Sequence, residues 1–263
     1  MTSHFACRIS GVLCSLRILK FLFLLLLTSA ISPDVNASTV ELQNGLGNDV
    51  SDGVESVADT LISEDSGSAN CGSAPAIGVG NMQNRSGGNR RLSTLMRFNL
   101  APLAGKTVTG PAKLSLAQVN TSGGTGDSTF DFNVFAVSQK NADWIAGTSV
   151  GREGDEAAND EATWKFKAFP GMPWAGAPGL TESGMDYEAE PVATLTYKES
   201  DGVDHVVEIP IPAALIQKWI DHPGTNGGIL IAWQSGDRYL GMFRSSEYWV
   251  PAQRPKLLVD YKK

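Results

Sequence analysis

The chain has 263 residues, a formal net charge of −7, three cysteines and three histidines. That length accommodates one large β domain or two small ones. The acidic balance argues against a general nucleic-acid or anionic-membrane binder.

The N-terminus reads as an export signal. Arg8, Arg17 and Lys20 precede the apolar block Phe21-Leu22-Phe23-Leu24-Leu25-Leu26-Leu27, and small residues follow, with Val35-Asn36-Ala37 as the expected cleavage site and Thr28-Ser29-Ala30 as the alternative. A basic start, a short apolar core and a small-residue exit define a secretory signal peptide. The block is shorter than the ~20 residues that a spanning helix needs, and no later segment is apolar enough to span. Residues 1–37 are therefore expected to be removed, leaving a secreted or cell-surface chain without a membrane span. Their loss takes three basic residues and Asp34, leaving 18 basic residues against 27 acidic ones. Cys7 and Cys14 go with the signal, so Cys71 stands alone and no internal disulfide can form. That usage fits a bacterial exported protein better than a eukaryotic one.

Residues 38–56 are rich in Gly, Asn, Asp and Glu, with Asn44-Gly45 and Asp52-Gly53, and read as a polar linker. The domain proper, 57–263, opens on the alternating run Val57 to Ser63. Loop follows through Cys71, then a short strand at Ile77-Gly78-Val79-Gly80-Asn81. Strong strands are expected at 91–100, 112–119 and 130–137. In the last of these, Phe130, Phe132, Val134 and Ala136 alternate with Asp131, Asn133, Phe135 and Val137. Residues 147–190 lack any long periodic run and hold many Gly, Pro, Asp, Glu and Trp; a loop of that length is usually functional or disordered. Residues 192–197 and 203–209 read as a hairpin across Asp201-Gly202. Ala213 to Ile220 is the one helix candidate, with Leu215, Ile216 and Trp219 on one face. Three further strands, near 228–233, 238–244 and 255–261, complete an all-β antiparallel sandwich with one short helix.

The order of these pieces resembles the disaggregatase-related repeat (DNRLRE) family and the related modules that bind alginate-like polysaccharides. The matching residues are Ala58-Asp59-Thr60, Asn70-Cys71-Gly72, Ile77-Gly78-Val79-Gly80 and Leu95-Met96-Arg97-Phe98-Asn99-Leu100, with 108–116 after them. Trp144, Thr163-Trp164 and 174–179 fill a tryptophan-rich middle. Leu215 to Trp219, Gly227 to Leu230, Arg244-Ser245-Ser246-Glu247 and Arg254-Pro255-Lys256-Leu257 complete the match, which covers about 57–261. Two departures are Cys71, where an aromatic is commoner, and the extra acidic and Gly-Pro residues of the middle. The resemblance implies a jelly-roll sandwich, non-catalytic, on a secreted or cell-surface protein.

Catalytic constellations are sparse. His205 and His222 lie far apart beside turns, and the sequence holds no Gly-x-Ser-x-Gly elbow, no His-Glu-x-x-His and no phosphate loop. Paired carboxylates for glycoside hydrolysis could come from 153–161 or from Glu182, Asp186, Glu188 and Glu190, but no spacing selects two. The chain is therefore read as a monomeric polysaccharide-binding module, not an enzyme. The alternative is a structural or adhesive domain. An aromatic ring can meet the C–H face of a sugar, and Trp174 in the loop-rich middle is the candidate platform, with loop anchoring as the rival reading. Arg91, Arg97, Arg238 and Arg244, with Tyr239, would form a basic stripe for uronate carboxylates if strands 91–97 and 238–244 are neighbours. Otherwise these arginines pair with the surplus acids. Asp59, Glu64 and Asn70, joined by Asp260 if the first and last strands pair, offer hard oxygens for one structural calcium.

Overall fold

A computed structural model describes residues 37–45, 55–83, 87–119, 128–151, 156–232 and 239–263. The first 36 residues of the expected export segment, all of 46–54, Trp233 and Arg238 lie outside the described residues. The described chain forms fourteen strands and one α-helix. The strands are β1 Ser38–Leu42, β2 Val57–Ser63, β3 Ala76–Gln83, β4 Asn89–Phe98, β5 Thr107–Val108, β6 Ala112–Ala117 and β7 Thr129–Ala136. There follow β8 Phe166–Ala168, β9 Met172–Pro173, β10 Ala193–Lys198, β11 Val206–Ile211, β12 Ile229–Ala232, β13 Tyr239–Arg244 and β14 Lys256–Lys262, with α1 at Ala213–Asp221 between β11 and β12.

All strand pairs are antiparallel. A smaller sheet runs β1-β14-β6-β11, with β5 also on β14, and a larger one runs β10-β7-β12-β4-β3-β13, with β2 also on β4. The two sheets enclose one core because their strands alternate. Leu114 and Leu116 of β6, Leu257 and Val259 of β14, and Ile209 and Ile211 of β11 face Phe132 and Val134 of β7, Met96 of β4 and Phe243 of β13. The helix closes one edge by inserting Ile216, Trp219 and Ile220 into that core. This is the expected all-β sandwich with a single short helix.

Strand β12 shows why an uninterrupted apolar run stands there. Ile229 and Ile231 point into the core between the sheets, while Leu230 points to the opposite face of the larger sheet. That face is also covered. Residues 144–151 and 156–187 fold back over it, and Trp144, Ala162, Trp164, Trp174 and Leu180 pack on Ile62, Leu95, Val137 and Leu230 as a second core. The aperiodic segment is thus a packed layer. The small sheet β8-β9 lies within it. Gly179 admits that layer's closest approach: its φ is +78°, and a Cβ there would run into the Trp164 ring.

Two expectations need correction. The segment read as a polar linker begins with β1, which pairs along β14 from Ser38 opposite Tyr261 to Leu42 opposite Leu257. Its apolar members are few, but Val40 and Leu42 face the core, and β14 supplies the backbone partners. Asn44 then fastens the following chain. Its amide donates to the Val57 carbonyl, and its side-chain oxygen accepts the Val57 N–H, both at 2.9 Å. The expected hairpin across Asp201-Gly202 is also absent as a pair: β10 bonds to β7 in the larger sheet and β11 to β6 in the smaller one. The turn carries the chain from one layer to the other.

Candidate functional site

The arginines chosen from sequence do not form one stripe. Arg91 and Arg97 share the outer face of β4, but β3 separates β4 from β13, where Arg244 sits. Arg91 holds both Glu64 carboxylate oxygens, at 2.9 and 3.1 Å, and lies over the Trp164 ring. The hydrogen bond from Arg91 keeps the Glu64 carboxyl below its ordinary range, and the same bond raises the Arg91 guanidinium. Arg97 lies over the Trp144 ring, 4.8 Å from its centroid, and donates to the Ala142 and Trp144 carbonyls. Arg244 pairs with Asp204 at 3.0 Å and covers the Tyr248 ring. Tyr239 stacks on Phe130 with 3.8 Å between centroids. Trp174 is 3% exposed, and its Nε1 donates to the Thr163 and Trp164 carbonyls. It anchors its loop and offers no platform. Arg91 and Arg244 pair with acids, as the rival reading had it.

The four oxygens expected to hold calcium do not converge. The strand paired with the last one is β1, not β2, so Asp260 lies in the smaller sheet, opposite Thr39, whose hydroxyl donates to it. Asp59 lies in the larger sheet and accepts the Ser246 N–H at 2.8 Å. Glu64 is committed to Arg91. The Asn70 side chain donates to the Ala146 and Ala162 carbonyls and accepts the Gly72 and Ser149 N–H groups. Among the described residues no group of three His, Cys, Asp or Glu side chains is placed to hold a metal.

Two of the loop acids are buried braces. Asp186 accepts from the Gly176, Ala177 and Glu182 N–H groups and from the Asn141 amide. Glu161 accepts from the Thr148 N–H and hydroxyl and from the Ala158 N–H. A buried carboxylate surrounded by donors organises a loop that has no ladder of its own. His205 and His222 are both exposed, on separate turns.

A concavity lies where the ends of β4 and α1 meet the turn after β7. It is an open groove of about 840 Å³, within the size range of ligand sites. Phe98, Leu100, Trp219 and Ile220 give it apolar wall, and Asn99, Gln139 and Asn226 give it polar edge. Its charged lining is Arg97, Lys140 and Lys167 against Glu55 and Asp143. The turn bearing Lys140 is pinned by Asn141, whose amide bonds Asp186 and whose oxygen accepts the Ala175 N–H. Lys167 Nζ reaches Asp143 at 2.7 Å and the Lys140 carbonyl at 3.1 Å, which accounts for two of its three protons. Partial burial pushes the Asp143 carboxyl up. The Lys167 hydrogen bond and the charges of Lys167 and Arg97 outweigh that, so it rests below its ordinary range. Burial lowers the Arg97 guanidinium. The groove can therefore present C–H-compatible wall, amide edges and ammonium groups to one ligand.

One surface residue escaped the sequence reading. Trp249, on the loop between β13 and β14, is 69% exposed, the most of any large apolar side chain among the described residues. Its composition-level signal is the same as that of the buried tryptophans. No protein-family model and no curated protein matches the chain.

Proposed function

We propose that this chain is an exported, non-catalytic module that binds an acidic polysaccharide along the groove between β4, α1 and the turn after β7. The resemblance to DNRLRE and alginate-type modules supports the class of ligand. The observation that carries the reading is the groove's charge. On a chain of net charge −7, its lining holds three cations and two carboxylates beside apolar wall. A uronate chain needs that combination, with its C–H faces against the exposed Ala101 and Ala104 of the wall and its carboxylates toward the exposed Lys140, Lys167 being held by Asp143. Arginines 91 and 244 are held by their own acids and take no part.

Affinity electrophoresis through gels holding alginate, pectin or neutral glucans tests this. Alginate or pectin should retard the wild type, and Lys140→Glu, a change at an exposed position, should abolish the retardation without shifting the melting temperature. Wild-type migration equal to that of an inert control in both acidic gels would contradict the reading and leave a structural or adhesive role.

A further inference from the structure

The loop between β13 and β14 is built to hold an indole in water. Ser245 N–H donates to the Pro75 carbonyl and Ser245 Oγ to the Ala74 carbonyl, while Ser246 N–H donates to Asp59. The Glu247 and Tyr248 N–H groups donate back to Ser245, one to its hydroxyl and one to its carbonyl. Arg254 Nε donates to the Tyr248 carbonyl at 2.6 Å, and its Nη1 to that of Asn44. The Tyr248 ring is buried, with the Arg244 guanidinium 4.1 Å from one side of it and the Trp249 ring 4.1 Å away, tilted by 42°. Four consecutive anchored residues and a buried aromatic base leave Trp249 itself exposed.

An isolated exposed apolar side chain needs no explanation. A large one mounted on this many fixed contacts does, because ordering a surface before its ligand arrives lowers the entropy cost of binding. The charges beside it select the ligand. Both nearby cations are engaged, Arg244 with Asp204 and Tyr248, and Arg254 with backbone carbonyls. The exposed charged neighbour is Glu247, two residues before it in the chain, whose carboxylate also accepts the Ser246 hydroxyl at 3.5 Å. A carboxylate accepts hydroxyl donors and repels other carboxylates. We infer that Trp249 is a stacking platform for an uncharged pyranose ring of a neutral glycan, with Glu247 accepting its hydroxyls, separate from the groove.

This goes beyond the acidic-polysaccharide reading, and the two can fail independently. Affinity gels of barley β-glucan, xylan and galactomannan are run with wild type, Trp249→Ala and Lys140→Glu. At least one neutral glycan should retard the wild type and Lys140→Glu alike, and Trp249→Ala should weaken that binding about tenfold or more. The Trp249→Ala melting temperature should be unchanged, and its retardation by alginate intact. Trp249→Ala binding as tightly as wild type would overturn the platform. So would the absence of retardation by every neutral glycan, which would leave the indole to a protein partner or to none.

Discussion

The two faces of the larger sheet are both buried, but by different means. The inner face meets the smaller sheet through aliphatic and phenyl side chains that alternate along each strand. The outer face is covered by residues 144–151 and 156–187, which have almost no strand ladder and depend on tryptophans, an Arg–Trp contact at each end of β4, and carboxylates braced by backbone N–H groups. Buried acids show the contrast most clearly. In the outer layer Asp186 and Glu161 collect several donors each. Asp59, two residues on from Val57 and so on the inner face, accepts from Ser246. Alternation builds a core that tolerates a polar guest poorly, whereas a core made of loops is organised by such guests.

The largest expected effect comes from breaking the outer layer. Trp144 is fully buried, donates its indole N–H to the Gly227 carbonyl at 2.8 Å and carries Arg97 on its ring. Trp144→Ala should lower stability by ~3–5 kcal/mol in urea denaturation. It should also open residues 144–187 to protease before the sandwich strands are cut, because the inner core does not depend on that indole. Simultaneous cleavage of both regions would show that the two cores melt as one unit.

Asp59 sharpens the contrast through pH. Burial raises its carboxyl from the ordinary 3.8 to about 7, against the hydrogen bonds from Ser246 and with the charges of Glu247 and Glu55 adding to the rise. Between those two values the folded chain holds a proton that the unfolded chain has lost. This group's contribution to stability therefore falls as pH rises from about 4 to 7 and levels off above that. Asp59→Asn keeps an acceptor for the Ser246 N–H and should remove that dependence, leaving the variant at least as stable as wild type at pH 8. Parallel stability profiles for the two proteins over pH 4–8 would refute the assignment. The smallest effect is expected at the half-exposed pair Arg91–Glu64. Arg91→Met should cost about 0–1 kcal/mol by thermal melting, since Trp164 retains an apolar neighbour.

The inner core was legible in the sequence, and the outer layer was not. Phe130, Phe132, Val134 and Ala136 announced their common face, and Leu215, Ile216 and Trp219 announced the helix, because period alone encodes which side is buried. Strand β1 was missed because Ser38–Leu42 offers only two apolar residues beside a polar tract; its partner, β14, lies at the other end of the chain. Asp186 and Glu161 stood among loop acids whose spacing selects none, since nothing local tells a carboxylate that braces backbone from one that faces water. The same limit inverted the tryptophans: Trp174 was chosen for exposure and is buried, whereas Trp249 passed unnoticed. Arg91, Arg97 and Arg244 were correctly placed on strands, but adjacency of β4 and β13 was a question of sheet order that spacing does not answer.

The groove's role is tested most directly by titrating an alginate-derived oligouronate into isotopically labelled protein and following backbone amide shifts. The account predicts saturable shifts concentrated at Asn99, Lys140, Asp143, Gly224 and Asn226, weakening as salt is raised. Unmoved amides at saturating oligouronate, or shifts gathered away from those five positions, would contradict it.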